Sequence, residues 1–276
     1  MNTHQSHETS LRSLIFSILK HRQLIAQMIK REVIGRYKGS IMGIFWAFFN
    51  PVFMLAIYTF VFSVVFKARW GVGESETKAQ FAVVLFAGLI VFNFFSEVVN
   101  RAPGLILSNV NYVKKVVFPL EILPLISIGA ALFHSFISLL VLLGAVFIFN
   151  GVLYGTVVFI PLVLMPLIIF TAGLAWILAS IGVFIRDLGQ IMGIITTMLM
   201  FLSPIFYSVG ALPEKFQPAL MANPLTFIIE QARGVLIYGR FPDWIGLTIY
   251  TAVAVLVAWL GFVWFQKTRK GFADVL

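Results

Sequence analysis

Residues 100–124 read NRAPGLILSNVNYVKKVVFPLEILP and separate two long apolar blocks of the chain. Pro103 and Pro119 bracket an apolar and polar run of helical length, which is typical of a short helix lying along a membrane surface. The alternative is a solvated loop whose lysines follow the positive-inside rule. We call residues 100–121 the inner loop, and we expect it to make contacts outside the membrane.

The composition defines the class of protein. Hydrophobic residues make up 60% of the 276 residues, charged residues make up 11%, and the mean hydropathy is +0.98. A soluble domain of this composition would expose large apolar patches, so the sequence predicts an integral membrane protein. The first ten residues are polar, and the apolar run 14–19 is too short for a signal peptide, so we expect the N-terminal segment to stay in the cytoplasm.

Long uncharged runs predict an all-α fold with six transmembrane helices in a single domain, residues 1–276, because about 20 apolar residues are needed to cross a bilayer. The uncharged interval between Glu121 and Arg186 accommodates two of these spans, with a turn at Asn150-Gly151. The predicted spans are residues 41–66, 79–99, 122–149, 156–185, 188–207 and 244–266.

Two other regions flank the predicted spans. Residues 1–38 contain a cytoplasmic tail and, over residues 11–33, a basic amphipathic pattern that predicts one helix in the headgroup region. Residues 208–242 form the second of these regions, and residues 214–242 within it are too charged to cross a bilayer, yet they include an apolar stretch at 225–229. Non-helical backbone survives at membrane depth only where protein or water covers it, so we expect an outer re-entrant hairpin here, between spans 5 and 6.

The distribution of lysine and arginine predicts the orientation. With the N-terminus inside, the inner segments hold 14 of these residues and the outer loops hold six, so both termini are expected in the cytoplasm. The net charge of +9 mostly reflects this asymmetry, so we expect membrane lipids and not nucleic acid as partners. No internal repeat is evident, which weighs against a secondary transporter built from inverted repeats.

Catalytic motifs are absent from the sequence. It contains no GxxxxGK[ST], GxSxG or HExxH, and no cysteine, so we expect no catalytic residue, no metal site, no bound cofactor and no ATPase site in this chain. His134 is the one histidine inside a predicted span, and we interpret it as a hydrogen-bonding group between helices instead of a metal ligand. Ion-coupled transporters bury charges along their path, whereas Glu97 and Glu121 here lie near the cytoplasmic edge.

Aromatic residues are abundant, with 29 Phe, 7 Tyr and 6 Trp. Phe45, Phe49 and Phe53 recur every four residues and therefore share one face of the first span. Helix packing and lipid contact are one explanation of this stripe. The other is a conduit in which rings stack on the apolar faces of sugars.

Five stretches resemble the membrane subunits of ABC-2-type exporters, in particular the permeases that move O-antigen, capsule and teichoic acid chains. They lie in the same order as in that family, within about residues 12–270, and six predicted spans accompany them. The stretches are RYKGSIMGIFWAFFNPVFMLAIYTFVF (36–62), NVNYVKKVVFPLEILP (109–124), FIRDLGQI (184–191), FLSPIFY (201–207) and NPLTFIIEQAR (223–233).

This resemblance implies a homodimer in the bacterial inner membrane that encloses a channel for a lipid-linked polysaccharide. A separate ATP-binding subunit, carrying ATP and Mg²⁺, docks under each copy, and the inner loop carries the coupling helix. The residues implied for coupling are Arg101, Asn109, Asn111, Tyr112, Lys114, Lys115, Arg186 and Asp187. The residues implied for the channel lining are Phe45, Phe49, Phe53, Phe206 and Tyr207.

Two alternatives to a polysaccharide permease remain open. An ABC-2 permease for a drug or a small lipid shares the six-span plan but less of the aromatic first-span motif. A membrane-embedded acyl- or glycosyltransferase is less favoured, because such chemistry needs paired polar groups that the predicted spans lack.

The predicted orientation is tested by cysteine labelling. Cysteines introduced at Ser75 and Gln217 should react with an impermeant thiol reagent in intact cells, because both residues lie in predicted outer regions. A cysteine at Asn109, in the inner loop, should react only after the cells are opened. Labelling of Asn109→Cys from outside would contradict the orientation.

Overall fold

The structure, a computed structural model, describes residues 10–65, 78–114 and 118–276. It is all-helical over these ranges, as predicted. The helices are α1 Leu11–Lys20, α2 Arg22–Tyr37, α3 Trp46–Tyr58, α4 Lys78–Arg101, α5 Val110–Lys114, α6 Leu123–Asn150, α7 Ile160–Phe184, α8 Leu188–Phe201, α9 Gln217–Met221, α10 Pro224–Leu236, α11 Trp244–Thr268 and α12 Phe272–Val275.

Five helical segments of the described chain are long and apolar enough to cross a membrane. Short 3₁₀ or π turns extend several of them beyond the α-helices. They are Gly43–Phe62, Gln80–Gly104, Leu120–Phe149, Gly155–Phe184 and Trp244–Val275. The remaining predicted span, residues 188–207 and the fifth in chain order, corresponds to α8, which has 14 residues. Five of the six predicted spans therefore match candidate membrane-spanning helices, and the span at 188–207 stays a prediction.

Helix α4 lies at the centre of the bundle. It packs against α3, α6, α7, α8 and α10, and Ala82, Leu85, Ala87 and Val98 on it have no exposed surface. A helix that is apolar on all sides is stable where other helices surround it, and the sequence of α4 fits this position.

Helices α7 and α11 form the closest helix pair, because glycines let their backbones approach. A Cβ atom added at Gly261 would lie 2.2 Å from the carbonyl oxygen of Gly173. A Cβ at Gly173 would lie 2.6 Å from the carbonyl oxygen of Val257. Small residues at helix contacts are typical of membrane bundles, where close packing drives association.

The N-terminal region forms two helices, whereas the sequence pattern predicts one helix over residues 11–33. The chain bends at His21, between α1 and α2. The two helices are held by different parts of the bundle: Ser17 on α1 donates a hydrogen bond of 2.9 Å to Glu121. Ile29 on α2 fits against Gly129 of α6, where a Cβ would lie 2.2 Å from the Ile29 side chain. Neither contact requires α1 and α2 to continue as one straight helix.

The described part of the inner loop is a series of short turns with one helix of five residues, α5. The prediction of one continuous short helix after Pro103 is therefore wrong. The reason is burial: Leu105 and Ile106, which follow the first turn, are 9% and 0% exposed, and the turns direct both side chains into the core. Apolar burial here outweighs the regular helical pattern.

Helix α8 ends at Phe201, and the next residues form turns, although the sequence pattern predicts a span to residue 207. The carbonyl groups of this segment are bonded by side chains from further along the chain. Asn223, which caps α10, donates to the carbonyl oxygen of Leu202 at 3.1 Å. The hydroxyl of Tyr207 donates to the carbonyl oxygen of Phe201 at 2.8 Å.

Arg233 on α10 makes the largest contribution to this arrangement. Its side chain has no exposed surface. It donates to the carbonyl oxygens of Val84 at 3.0 Å, Pro204 at 2.6 Å and Ile205 at 3.1 Å, and to the carboxylate of Glu230 at 2.8 Å. One guanidinium thus joins α4, the segment after α8, and α10.

Replacing Arg233 should destabilise the fold strongly. Arg233→Met leaves the carbonyl oxygens of Pro204 and Ile205 without this donor, and each such loss costs about 1–3 kcal/mol. We expect a clear fall in the temperature at which the detergent-solubilised protein aggregates. The matched control is Arg240→Met, an exposed arginine in the same outer region, which should change this temperature little. Equal stability of the two variants would contradict the role of Arg233.

Candidate functional site

The inner loop is attached to the bundle where it begins. Arg101, the last residue of α4, forms an ion pair with Glu32 of α2. The turn Ala102–Gly104 lies directly against α7, because a Cβ at Gly182 would lie 2.2 Å from the carbonyl oxygen of Pro103. The first part of the loop therefore cannot move without moving α2 or α7.

The loop is also attached where it ends, through Glu121, which is 8% exposed. Its carboxylate accepts hydrogen bonds from Ser17 of α1 at 2.9 Å and from Arg269 at 2.8 Å. Its backbone carbonyl accepts from the indole of Trp176 on α7 at 2.9 Å. Sequence analysis placed Glu121 at the membrane edge but did not identify it as a buried connection between three segments.

Tyr112 is packed within its own chain. Its ring stacks on Phe118, with ring centroids 4.4 Å apart and an interplanar angle of 13°. Its hydroxyl accepts a hydrogen bond from Arg31 of α2 at 2.9 Å. Arg269 donates to the carbonyl of Phe118 at 3.0 Å, so the ring pair is fixed to the C-terminal segment as well.

The coupling residues implied by the resemblance differ in exposure. Asn109 and Tyr112 are half-buried, and Asn109 donates to the carbonyl of Leu105 at 2.8 Å. Arg101 is half-buried and engaged with Glu32, while Lys115 lies outside the described residues. The exposed members of the set are Asn111, Lys114, Arg186 and Asp187. The structure thus places Asn109, Asn111, Tyr112 and Lys114 on one short stretch, and Arg186 and Asp187 on the connection between α7 and α8.

The aromatic stripe of the first span is present on one face. Phe49 and Phe53 stack with centroids 6.0 Å apart and an interplanar angle of 26°. Phe45 is 67% exposed and Phe53 is 53% exposed on this single chain. Rings with this exposure are available to lipid, to a second copy of the chain or to a ligand.

A second aromatic cluster contains Phe206, with Tyr207 beside it. Phe206 stacks on Phe62, at the C-terminal end of the first span, with centroids 5.9 Å apart, and on Phe201 at the same distance. The hydroxyl of Tyr207 donates to the carbonyl oxygen of Phe201. The structure therefore divides the five candidate lining residues between two places along the first span, and it adds Phe62 and Phe201.

A polar cavity of about 760 Å³ lies among α2, α3, α4 and α6. Within it, Glu97 accepts from Arg36 at 2.5 Å and contacts Nδ1 of His134 at 3.0 Å. The interpretation of His134 as a hydrogen-bonding group between helices is confirmed. Ala47 and Pro51 form part of the cavity wall. Proline has no backbone N–H, so the helical hydrogen bond from residue 51 to residue 47 is missing, and this place in the helix faces a polar space.

The phenol of Tyr37 also lines the polar cavity. Burial raises its pKa, the neighbouring Arg36 lowers it, and Glu97 raises it, with a net increase. The Tyr37 hydroxyl is therefore protonated at neutral pH. In the part of the chain that the structure describes, no group of three His, Cys, Asp or Glu side chains suits a metal ion.

An apolar helical bundle with five segments long enough to cross a bilayer is the architecture of a multi-pass membrane protein. The chain belongs to the ABC-2 type transporter family: the family model matches residues 23–237, a range that contains all five stretches quoted above. The resemblance inferred from those stretches is confirmed.

The chain is similar over nearly its whole length to named permeases. It is 28% identical to the O-antigen export system permease protein RfbA of Myxococcus xanthus, over 95% of this chain and 98% of the relative. An O-antigen export system permease protein RfbA of Klebsiella pneumoniae is 26% identical, over 92% of this chain and 95% of the relative. The polysialic acid transport protein KpsM of Escherichia coli is 24% identical, over 89% of this chain and 93% of the relative.

Proposed function

We propose that this chain is the channel-forming permease subunit of an ATP-driven exporter that moves a lipid-linked polysaccharide, such as O-antigen or capsule, out of the cytoplasm. The observation that carries this proposal is the similarity to O-antigen and polysialic acid permeases over nearly the whole length of each chain. The aromatic surface of the first span supports it, since stacked rings suit the apolar faces of sugars.

The energy comes from a partner. The sequence lacks a P-loop, so two copies of a separate ATP-binding subunit bind ATP and Mg²⁺ and act on a homodimer of this chain. The chain has no ATPase site of its own and is not an enzyme. The protein lies in the bacterial inner membrane, with both termini in the cytoplasm.

The fifth crossing is completed by α8 together with residues 202–207. Helix α8 alone is about 21 Å long at 1.5 Å per residue, which is less than the roughly 30 Å of hydrocarbon. Non-helical backbone is tolerated at this depth where protein groups bond it. Asn223 and Arg233 supply such bonds to Leu202, Pro204 and Ile205, which supports this crossing as the fifth of six spans, followed by a re-entrant hairpin in α9 and α10.

Helix α1 lies in the headgroup region as an interface helix. Leu14 is buried against the bundle, while Ile15, Phe16 and Leu19 are 58%, 67% and 59% exposed. An exposed apolar face on a helix with basic residues is typical of insertion into a membrane surface. The apolar face of α1 therefore contacts lipid.

The inner loop transmits movement from the ATP-binding subunit to the spans. Its beginning is fixed to α2 and α7 through Arg101 and Pro103, and its end is fixed to α1 and α7 through Glu121. Its exposed polar residues, with Arg186 and Asp187, form the surface for the partner. Tyr112 stabilises the conformation of the inner loop through its contacts with Phe118 and Arg31.

Export is tested with alanine variants of the stripe. Phe49→Ala together with Phe53→Ala should reduce surface polysaccharide several-fold while assembly with the ATP-binding subunit is retained, because ring stacking along the path is lost. The matched control is Phe147→Ala with Phe149→Ala, two exposed rings of α6. Surface polysaccharide is measured by immunoblotting of whole cells.

Deletion of the gene for this chain tests the proposed export function as a whole. Polysaccharide should then accumulate inside the cell. Unchanged surface polysaccharide with altered sensitivity to a drug would instead support the alternative, an ABC-2 permease for a drug or a small lipid. For the alanine test above, normal export by the variant with Phe49→Ala and Phe53→Ala would mean that the aromatic stripe serves helix packing alone.

Coupling is tested at Tyr112. Tyr112→Ala removes the ring that stacks on Phe118 and the hydroxyl that binds Arg31, so ATP hydrolysis should continue while export falls far more than in Lys114→Ala. An exposed lysine contributes only about 0–1 kcal/mol to a contact, so Lys114→Ala is the mild control. Tyr112→Phe keeps the stack and should retain most export. Full export with Tyr112→Ala, measured on the purified complex in vesicles, would place the coupling contact elsewhere.

A further inference from the structure

The polar cavity extends into the bundle beyond its charged residues. Two asparagines that line it, Asn50 of α3 and Asn93 of α4, lie inside candidate membrane-spanning segments. Asn50 is seven residues after Gly43, which begins the first segment, and Asn93 is eight residues before Arg101, which ends α4. At about 1.5 Å per residue, the two amides lie about 10–12 Å from these helix ends. They therefore reach a similar depth from different helices.

Both asparagines are exposed on this single chain, although α4 is mostly buried. Among the described residues, neither side-chain amide has a hydrogen-bond partner. An amide that faces lipid in this way is costly, because hydrocarbon offers neither donors nor acceptors. Polar residues inside membrane spans typically face a water-filled cavity or a substrate path. The amides of Asn50 and Asn93 are therefore positioned to bond water or a polar ligand.

The arginines that line the cavity are each bonded within the chain. The pairs are Arg36 with Glu97, Arg101 with Glu32, and Arg31 with Tyr112. A charged ligand would have to break one of these pairs. The groups left for a ligand are neutral, namely the two asparagine amides and the hydroxyls of Tyr37 and Ser135. Amides and hydroxyls both donate and accept hydrogen bonds, so the cavity is suited to a neutral ligand with several hydroxyl groups.

The cavity also lies beside the aromatic stripe. Asn50 directly follows Phe49, and successive residues of a helix are about 100° apart, so the amide faces the flank of the stripe. A sugar has apolar ring faces that stack on aromatic side chains, and hydroxyls at its edge that bond amides. The cavity volume of about 760 Å³ is within the range of about 300–1,000 Å³ that is typical of small-molecule sites. Adjacent faces of α3 thus present the two kinds of contact that suit a sugar unit.

We propose that the polar cavity binds one neutral sugar unit of the exported polysaccharide, with the sugar hydroxyls bonded to Asn50 and Asn93. This site rests on the proposed export function, which it deepens by adding a hydrogen-bonding subsite to the aromatic stripe. The subsite is formed within one copy of the chain.

The experiment measures export by the purified complex with its ATP-binding subunit in inside-out vesicles. The substrate is the lipid-linked polysaccharide extracted from cells that lack this chain. Asn50→Leu together with Asn93→Leu should raise the polysaccharide concentration for half-maximal export about tenfold, since hydrogen bonds to the sugar are lost. The matched control is Thr248→Val, which removes an exposed hydroxyl of α11 outside the cavity and should stay within about twofold of the unaltered chain.

Thermal stability separates binding from folding. Because neither amide bonds another described residue, the double variant should aggregate at the same temperature as the unaltered chain or at a higher one. Asn93→Leu alone should raise the half-maximal concentration about threefold, and it decides the question if the double variant is unstable. Asn93→Gln, which keeps an amide, should recover most of that loss.

The outcomes distinguish the subsite from the export function. An unchanged half-maximal concentration in the leucine variants would overturn the subsite and assign the cavity to water alone, while the export function would stand. No export of this polysaccharide by the unaltered chain would overturn both.

Discussion

The hydrogen bonds of Arg233 are the contacts on which the half of the structure around the end of α8 and α10 depends. Backbone oxygens without a donor are costly inside a membrane protein, because lipid supplies none. Arg233 bonds two of them, on Pro204 and Ile205, and thereby allows α8 to stop while the chain continues. Its third backbone bond, to Val84, joins this segment to α4. This position of Arg233 also requires a glycine at residue 88. A Cβ there would lie 2.7 Å from a guanidinium nitrogen of Arg233, which its hydrogen bonds hold in place. The helix end, the central helix and α10 are one interdependent unit.

A second buried charge organises the opposite end. Glu121 connects α1, the C-terminal segment and α7 to the end of the inner loop. Helix α7 in turn packs backbone to backbone on α11 through Gly173. A displacement of the loop is therefore passed to two long helices through contacts that leave little space for adjustment, since close-packed interiors do not deform continuously. This is the property that our coupling proposal requires.

Sequence analysis located five long helices because the thickness of the bilayer sets a minimum length for an apolar run. It also predicted that Phe49 and Phe53 share a face, since that follows from helical period alone. It did not predict the end of α8, because the apolar residues after Pro204 continue the pattern of a span. The determinant, Arg233, lies 29 residues further along the chain. The partners of Glu121 lie 104 and 148 residues away, and no local pattern identifies them.

The position of the charges also bears on the source of energy. Glu97 and Arg101 occupy the last turns of α4, and His134 meets them from α6, whereas residues 81–92 on α4 are entirely apolar. A proton or ion path needs titratable groups at successive depths. Charges gathered at one level of the central helix do not provide such a path in the part of the chain that the structure describes, which agrees with an exporter that has an ATP-binding partner.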